Sequence, residues 1–126
     1  MEKLFEPHRN LSDEINRNII RSEIEGGVDL RRLPHQATLE VATRNHRYVL
    51  VMERDGSAEG RAWIAGHPRF CPEPVLVQIS GSNWGGSMIK ANYLGRGMHM
   101  EFRHPEFPGV IVTSAIVDIR VLSEAA

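Results

Sequence analysis

From Thr38 onward the apolar residues recur at every second position in short runs, and the runs are separated by Gly, Pro, Asn and Asp. Successive side chains of a strand point to opposite faces, so a period of two calls for half-buried β-strands rather than helices. The cleanest case is Met98–Arg103, where Met98, Met100 and Phe102 share one face and His99, Glu101 and Arg103 the other. Leu39 and Val41 share a face of Thr38–Thr43 with Glu40 opposite, and Arg47–Glu53 is dense in the β formers Tyr48, Val49, Leu50 and Val51. Arg61–Ala65, Val75–Ser80, Val110–Thr113 and Ile116–Leu122 complete the set, with Asn45, Asp55-Gly56, the 67–74 loop, Pro105, Pro108, Gly109 and a bend at Thr113-Ser114 between runs. About seven short strands in this arrangement predict a mainly β fold, a sandwich or a small antiparallel β-barrel, and the barrel is the expectation because closing the sheet removes its unpaired edges.

Ahead of Pro34 the period changes. Leu11, Ile15, Ile19, Ile20 and Ile24 fall at helical spacing and predict one amphipathic α-helix over about 11–25. Asn10 or Ser12 suits its start, Asp13 and Glu14 complement the helix dipole, and Gly26-Gly27 suits its stop. Val28–Leu33 reads as an irregular or 3₁₀ connector. The expected organisation over 1–126 is therefore a single domain, with an N-terminal helical segment (1–33) and a small barrel (34–126). The Ile stripe is expected to cover an open barrel end or to meet a partner chain.

Charge narrows the partners. Residues 1–33 carry six Lys/Arg against seven Asp/Glu, residues 34–126 carry nine of each, and the net charge is -1. No block supplies the strong positive field that a phosphate polymer attracts, which weakens nucleic-acid binding as an expectation. Cys71 is the single cysteine, so no intrachain disulfide forms and a reducing compartment is expected. Met1–Pro7 has no apolar stretch resembling a signal peptide, and the longest apolar runs fall far short of the roughly 20 residues that span a bilayer. A cytoplasmic protein without membrane association is the expectation.

Residues 81–97 are the least ordinary stretch. They join two predicted strands with 17 residues, five of them glycine, where such connections commonly take about 4–6 residues. Three uses compete. Glycine amides such as those of Gly85 and Gly86 can cradle an anion with Lys90 or Arg96 adding charge; Trp84 and Tyr93 can form a stacking platform; or the segment is an interface strip anchored by Trp84. Against these stands plain architecture, in which the glycines permit tight turns while Trp84, Ile89 and Leu94 fold back into the core. A nucleotide P-loop is rejected, because Ser87 and Met88 stand where the phosphate-binding Lys and the magnesium-binding Ser/Thr are required.

Catalytic and metal sets fare worse. His67 and Cys71 are four apart, but Pro68 and Pro72 exclude a helical ligand face. His99 and His104 are five apart on one run and point to opposite faces of a regular strand. No pair has zinc-type double spacing. Glu53/Asp55 and Glu101/Glu106 lie beside Arg54 and Arg103, as solvated ion pairs do. A serine-hydrolase elbow is absent. No catalytic set, metal site or cofactor is expected.

The pieces Gly81–Met88, Gly97–Phe102 and Ile111–Ile116, within Ile79–Ile119, resemble small bacterial β-barrel proteins of unassigned function. At fold level such a short-stranded barrel is similar to SH3-like and Sm-like modules, which bind peptides, RNA or themselves. The resulting expectation is a non-catalytic binding or assembly module working through Trp84, Gly85, Gly86, Lys90, Tyr93 and Arg96, with self-association or a protein partner. The second reading is an anion- or nucleic-acid-binding barrel using Lys90, Arg96 and nearby Arg61 or Arg69. The third is a small metal- or Cys-dependent enzyme built from His67, Cys71, His99 and His104.

Overall fold

The computed structural model describes residues 26–53, 60–86 and 88–123. Their strands are β1 (Gly27–Asp29), β2 (Thr38–Thr43), β3 (Arg47–Glu53), β4 (Arg61–Ala65), β5 (Val75–Asn83), β6 (Ile89–Ala91), β7 (Tyr93–Gly95), β8 (His99–Arg103) and β9 (Ile111–Ser123). Strands β2, β3, β4, β5, β8 and β9 pair antiparallel in that order. Strand β9 then returns to β2, with Val41 opposite Ile119, and closes a six-stranded barrel. The alternation explains the interior: Leu39, Val41, Leu50, Met52, Ile64, Ile79, Met100, Phe102 and Ile119 all bury their side chains in one core. Each such burial stabilises by roughly 1.5–3 kcal/mol relative to exposure, before the entropy of ordering is counted.

Two long strands make the corners. The first part of β5 pairs with β4, from Val75 opposite Ile64 to Gln78 opposite Arg61, and its last part pairs with β8, to Asn83 opposite His99. The pairing is irregular between Ile79 and Gly81, where Gly81 has φ +141°. Beyond the end of β4, the freed edge of β5 is taken by β6, with Ser82 opposite Lys90. Strand β9 likewise pairs through Ile111–Ala115 with β8 and through Ile116–Ser123 with β2.

This corrects the strand count. The runs predicted at 110–113 and 116–122 are one strand, and Thr113-Ser114 lies in an irregular register rather than a break. Small polar residues suit a bend and a bulge equally well, and a bulge lets a strand turn a barrel corner without ending. The Thr43–His46 turn is where the sequence puts it, closed by the Thr43 N–H donating to the His46 carbonyl at 2.7 Å. Asparagine suits such a turn because it tolerates positive φ, but among the described residues the asparagine that adopts it is Asn92, at φ 58° between β6 and β7, and not Asn45.

Residues 27–37 form a second layer of the core. Strand β1 pairs with β7 in a two-stranded sheet, Val28 opposite Leu94. A single 3₁₀ turn comes next over Leu30–Arg32, capped by Asp29, whose Oδ1 accepts from the Arg31 backbone N–H at 3.0 Å. Val28, Leu30, Leu33, Ala37 and Leu94 are buried with the barrel core. The connector expected at Val28–Leu33 is thus part strand and part 3₁₀ turn. The predicted helix over 11–25 lies outside the described residues.

Candidate functional site

The 81–97 segment divides into a buried half and an exposed half. Gly81, Ser82, Leu94 and Gly95 are packed, and the Ser82 hydroxyl donates to the Tyr93 carbonyl at 2.5 Å. A side chain at Gly81 would collide with the Lys90 carbonyl oxygen, so glycine lets β6 close on β5. By contrast Trp84 is 73% and Met88 87% exposed. The Trp84 ring lies over Gly97, where an added Cβ would come within 3.0 Å of its Cζ3.

Asn83 ends β5 and organises the turn beyond it. Its Oδ1 accepts from the Gly85 N–H at 2.6 Å, an Asx turn that swings the chain out of the barrel wall. Its Nδ2 donates to Glu101 Oε2 at 2.5 Å. The two bonds fix the amide orientation and hold the carboxylate in place. Two residues away on the same outward face of β8, His99 places Nδ1 2.9 Å from the Thr113 carbonyl oxygen. A carbonyl only accepts, so Nδ1 carries the proton, and the tautomer this contact selects leaves Nε2 as the acceptor whenever the ring is uncharged.

Together these residues line an open groove of about 640 Å³ formed by Asn83, Gly85, Gly86, His99, Glu101, Val110 and Val112. Val110 and Val112 contribute exposed hydrocarbon, and Gly85 and Gly86 contribute bare backbone. Among the described residues no cation lies within ion-pair distance of Glu101. The groove therefore offers acceptors and apolar surface together.

The predicted site residues separate accordingly. Gly85 and Gly86 line the groove and Trp84 adjoins them in the chain. Lys90 sits with Nζ 4.0 Å from the Tyr93 ring centroid, and Tyr93 packs against Gly27 and Gly95. Arg96 donates to Asp118 Oδ1 at 3.1 Å, both side chains about one-fifth exposed. The four basic residues considered for an anion patch are dispersed, since Arg61 starts β4 while Arg69 lies in the loop beyond its other end, with its guanidinium over Phe70. Sequence reasoning missed Asn83 and did not join His99 and Glu101 to the glycine segment. The signal was present in their shared face of β8, but the partner strand was not legible.

The histidine and cysteine candidates lie elsewhere. His46 and His67 lie with tilted rings whose centroids are 4.2 Å apart, and the contacts continue from His67 to Phe70 and on to Phe107 and His104. His67 Nδ1 accepts from the Arg69 and Phe70 N–H groups at 3.0 and 3.3 Å, which requires it unprotonated. Partial desolvation, with His46 and Arg69 nearby, holds its pKa below the ordinary histidine value. Cys71 is 1% exposed, and burial raises its thiol pKa, which works against a thiolate nucleophile. Among the described residues no three His, Cys, Asp or Glu side chains gather as a metal-ligand set, and no helix is long and apolar enough to cross a membrane. A scan against protein-family models and searches of curated proteins and of solved structures return no match.

Proposed function

We propose that this protein is a non-catalytic binding module whose working surface is the exposed half of the 81–97 segment and the groove beside it. The observation that carries this reading is the division of the segment: Trp84 is displayed while Gly85 and Gly86 line an open groove. A tryptophan kept on the surface has no role in the core, and tryptophan is the residue type most enriched at binding hot spots. As a small antiparallel barrel the fold invites comparison with SH3-like and Sm-like modules, which bind peptides, RNA or themselves.

The test compares wild type, Trp84→Ala and a groove-filling Gly86→Val protein against a display library of random peptides. Enrichment by wild type that both variants lose supports the reading. Retention by both variants overturns it. The anion-binding reading gains less support, because Arg96 is already paired and the groove holds a carboxylate with no ion-pair partner among the described residues. Salt-titrated binding to RNA and single-stranded DNA separates the two, since counterion release makes phosphate-polymer binding steeply salt-dependent.

A further inference from the structure

We infer that the groove receives an arginine side chain from a partner polypeptide, a conclusion that rests on the binding-module reading and specifies its ligand. A ligand must complete what a site leaves unsatisfied. Here that is a carboxylate held by Asn83 but not neutralised by a cation among the described residues, and a histidine Nε2 left as an acceptor by the Nδ1–Thr113 bond. Both sit on one face of β8, two residues apart, so their Cα atoms are separated by about 7 Å. Beside them Val110 and Val112 offer hydrocarbon.

An occupant therefore needs a hydrocarbon stem, several N–H donors and a positive charge. Arginine and lysine side chains both have an apolar stem and a charged head. The guanidinium is favoured because its planar fork of five donors can engage a carboxylate with two bonds and still reach a second acceptor, whereas an ammonium is a compact point charge. Anionic ligands are disfavoured, since Glu101 repels them and the nearest basic residues of the segment are engaged, Lys90 over Tyr93 and Arg96 with Asp118. The glycine wall suits an extended peptide, because Gly85 and Gly86 let another backbone approach closely.

The test titrates a blocked Ala-Arg-Ala peptide into the isotopically labelled full chain and tracks backbone amide shifts. Matched peptides carry lysine or citrulline, the latter having nearly the shape of arginine without its charge. The expected result is saturable shifts at Gly85, Gly86, His99 and Glu101 with the arginine peptide, weaker ones with lysine and none with citrulline. Glu101→Gln is expected to weaken binding about ten- to a hundred-fold, the range for losing a charge-assisted bond, with amide shifts far from the groove unchanged. His99→Gln provides a second variant, with a smaller loss. Equal binding of the arginine and citrulline peptides overturns the inference, as does arginine binding that Glu101→Gln leaves intact. The library experiment separates the two levels. Enriched peptides that lack basic residues yet shift Gly85 and Gly86 sink the arginine inference and leave the binding module standing. Absence of any enrichment and of any groove shift overturns both.

Discussion

Asn83 bridges two strands and a turn, donating to Glu101 at 2.5 Å from one end of its amide and accepting from the Gly85 N–H at 2.6 Å at the other. Replacing Asn83 with Asp keeps the acceptor for Gly85 but sets a second carboxylate against Glu101. Asn83→Asp is expected to cost about 1–3 kcal/mol, from a lost hydrogen bond and like-charge repulsion. Chemical denaturation at low and high salt checks this. Added salt should recover part of the loss, and a salt-independent cost of the same size would show that repulsion is not its source.

Gly81 and Gly109 offer an internal contrast. Both have positive φ, at +141° and +75°, but only Gly81 has backbone in the space a Cβ would fill. Gly109→Ala should cost about 1 kcal/mol from conformation alone. Gly81→Ala should cost about 2–4 kcal/mol because β6 must also move away from β5. Unfolding midpoints of the two variants decide it, and equal costs would mean that the β5–β6 approach is not constrained.

Acid should weaken the protein through His67. Its folded pKa lies below the ordinary value of 6.5 because burial, His46 and Arg69 disfavour the charged ring. The unfolded chain takes up that proton first, so this contribution is present above about pH 6.5 and is lost as pH falls toward the folded pKa. His67→Asn keeps an acceptor near the Nδ1 position and removes the titration. Its stability-versus-pH curve should be flatter than wild type as the pH falls below about 6.5. Parallel curves would reject this role.

Alkali should act through Tyr48, a buried phenol whose pKa is pushed up to about 12 by burial and by the neighbouring Cys71. The unfolded phenol ionises near 10, so stability present below that pH is lost as the pH climbs to the folded value. Two pKa units correspond to about 2–3 kcal/mol. Ultraviolet titration should find one of the two tyrosines ionising only as the protein unfolds, and Tyr48→Phe should remove that part of the alkaline loss.

Cys71 should be chemically silent in the native state. It is buried, its thiol pKa is raised by burial, and its backbone is held in the short loop by the Cys71 N–H donating to the His67 carbonyl at 3.0 Å. An aromatic disulfide reagent should label it only after denaturant is added, with Cys71→Ala as the blank. Stoichiometric labelling of the folded protein within the mixing time would contradict this placement.

Alternation by itself determined that the chain is mainly β and which strand residues face the core, because a period of two assigns each side chain to a face before any partner is known. Met100 and Phe102 went inside and His99 and Glu101 outside for that local reason. It also marked the 81–97 segment as unusual from its glycines and length. The features that stayed illegible depend on partners distant in sequence. Whether Thr113-Ser114 breaks or bulges is decided by β8 and β2 taking successive stretches of the same strand. That Gly81 is packed while Gly85 lines a groove is decided by where β4 ends and β6 takes over its edge of β5. The groove itself exists only because β5 and β8 lie side by side, setting Asn83 opposite His99 and its amide within reach of Glu101, and that register is a property of the closed barrel rather than of either strand.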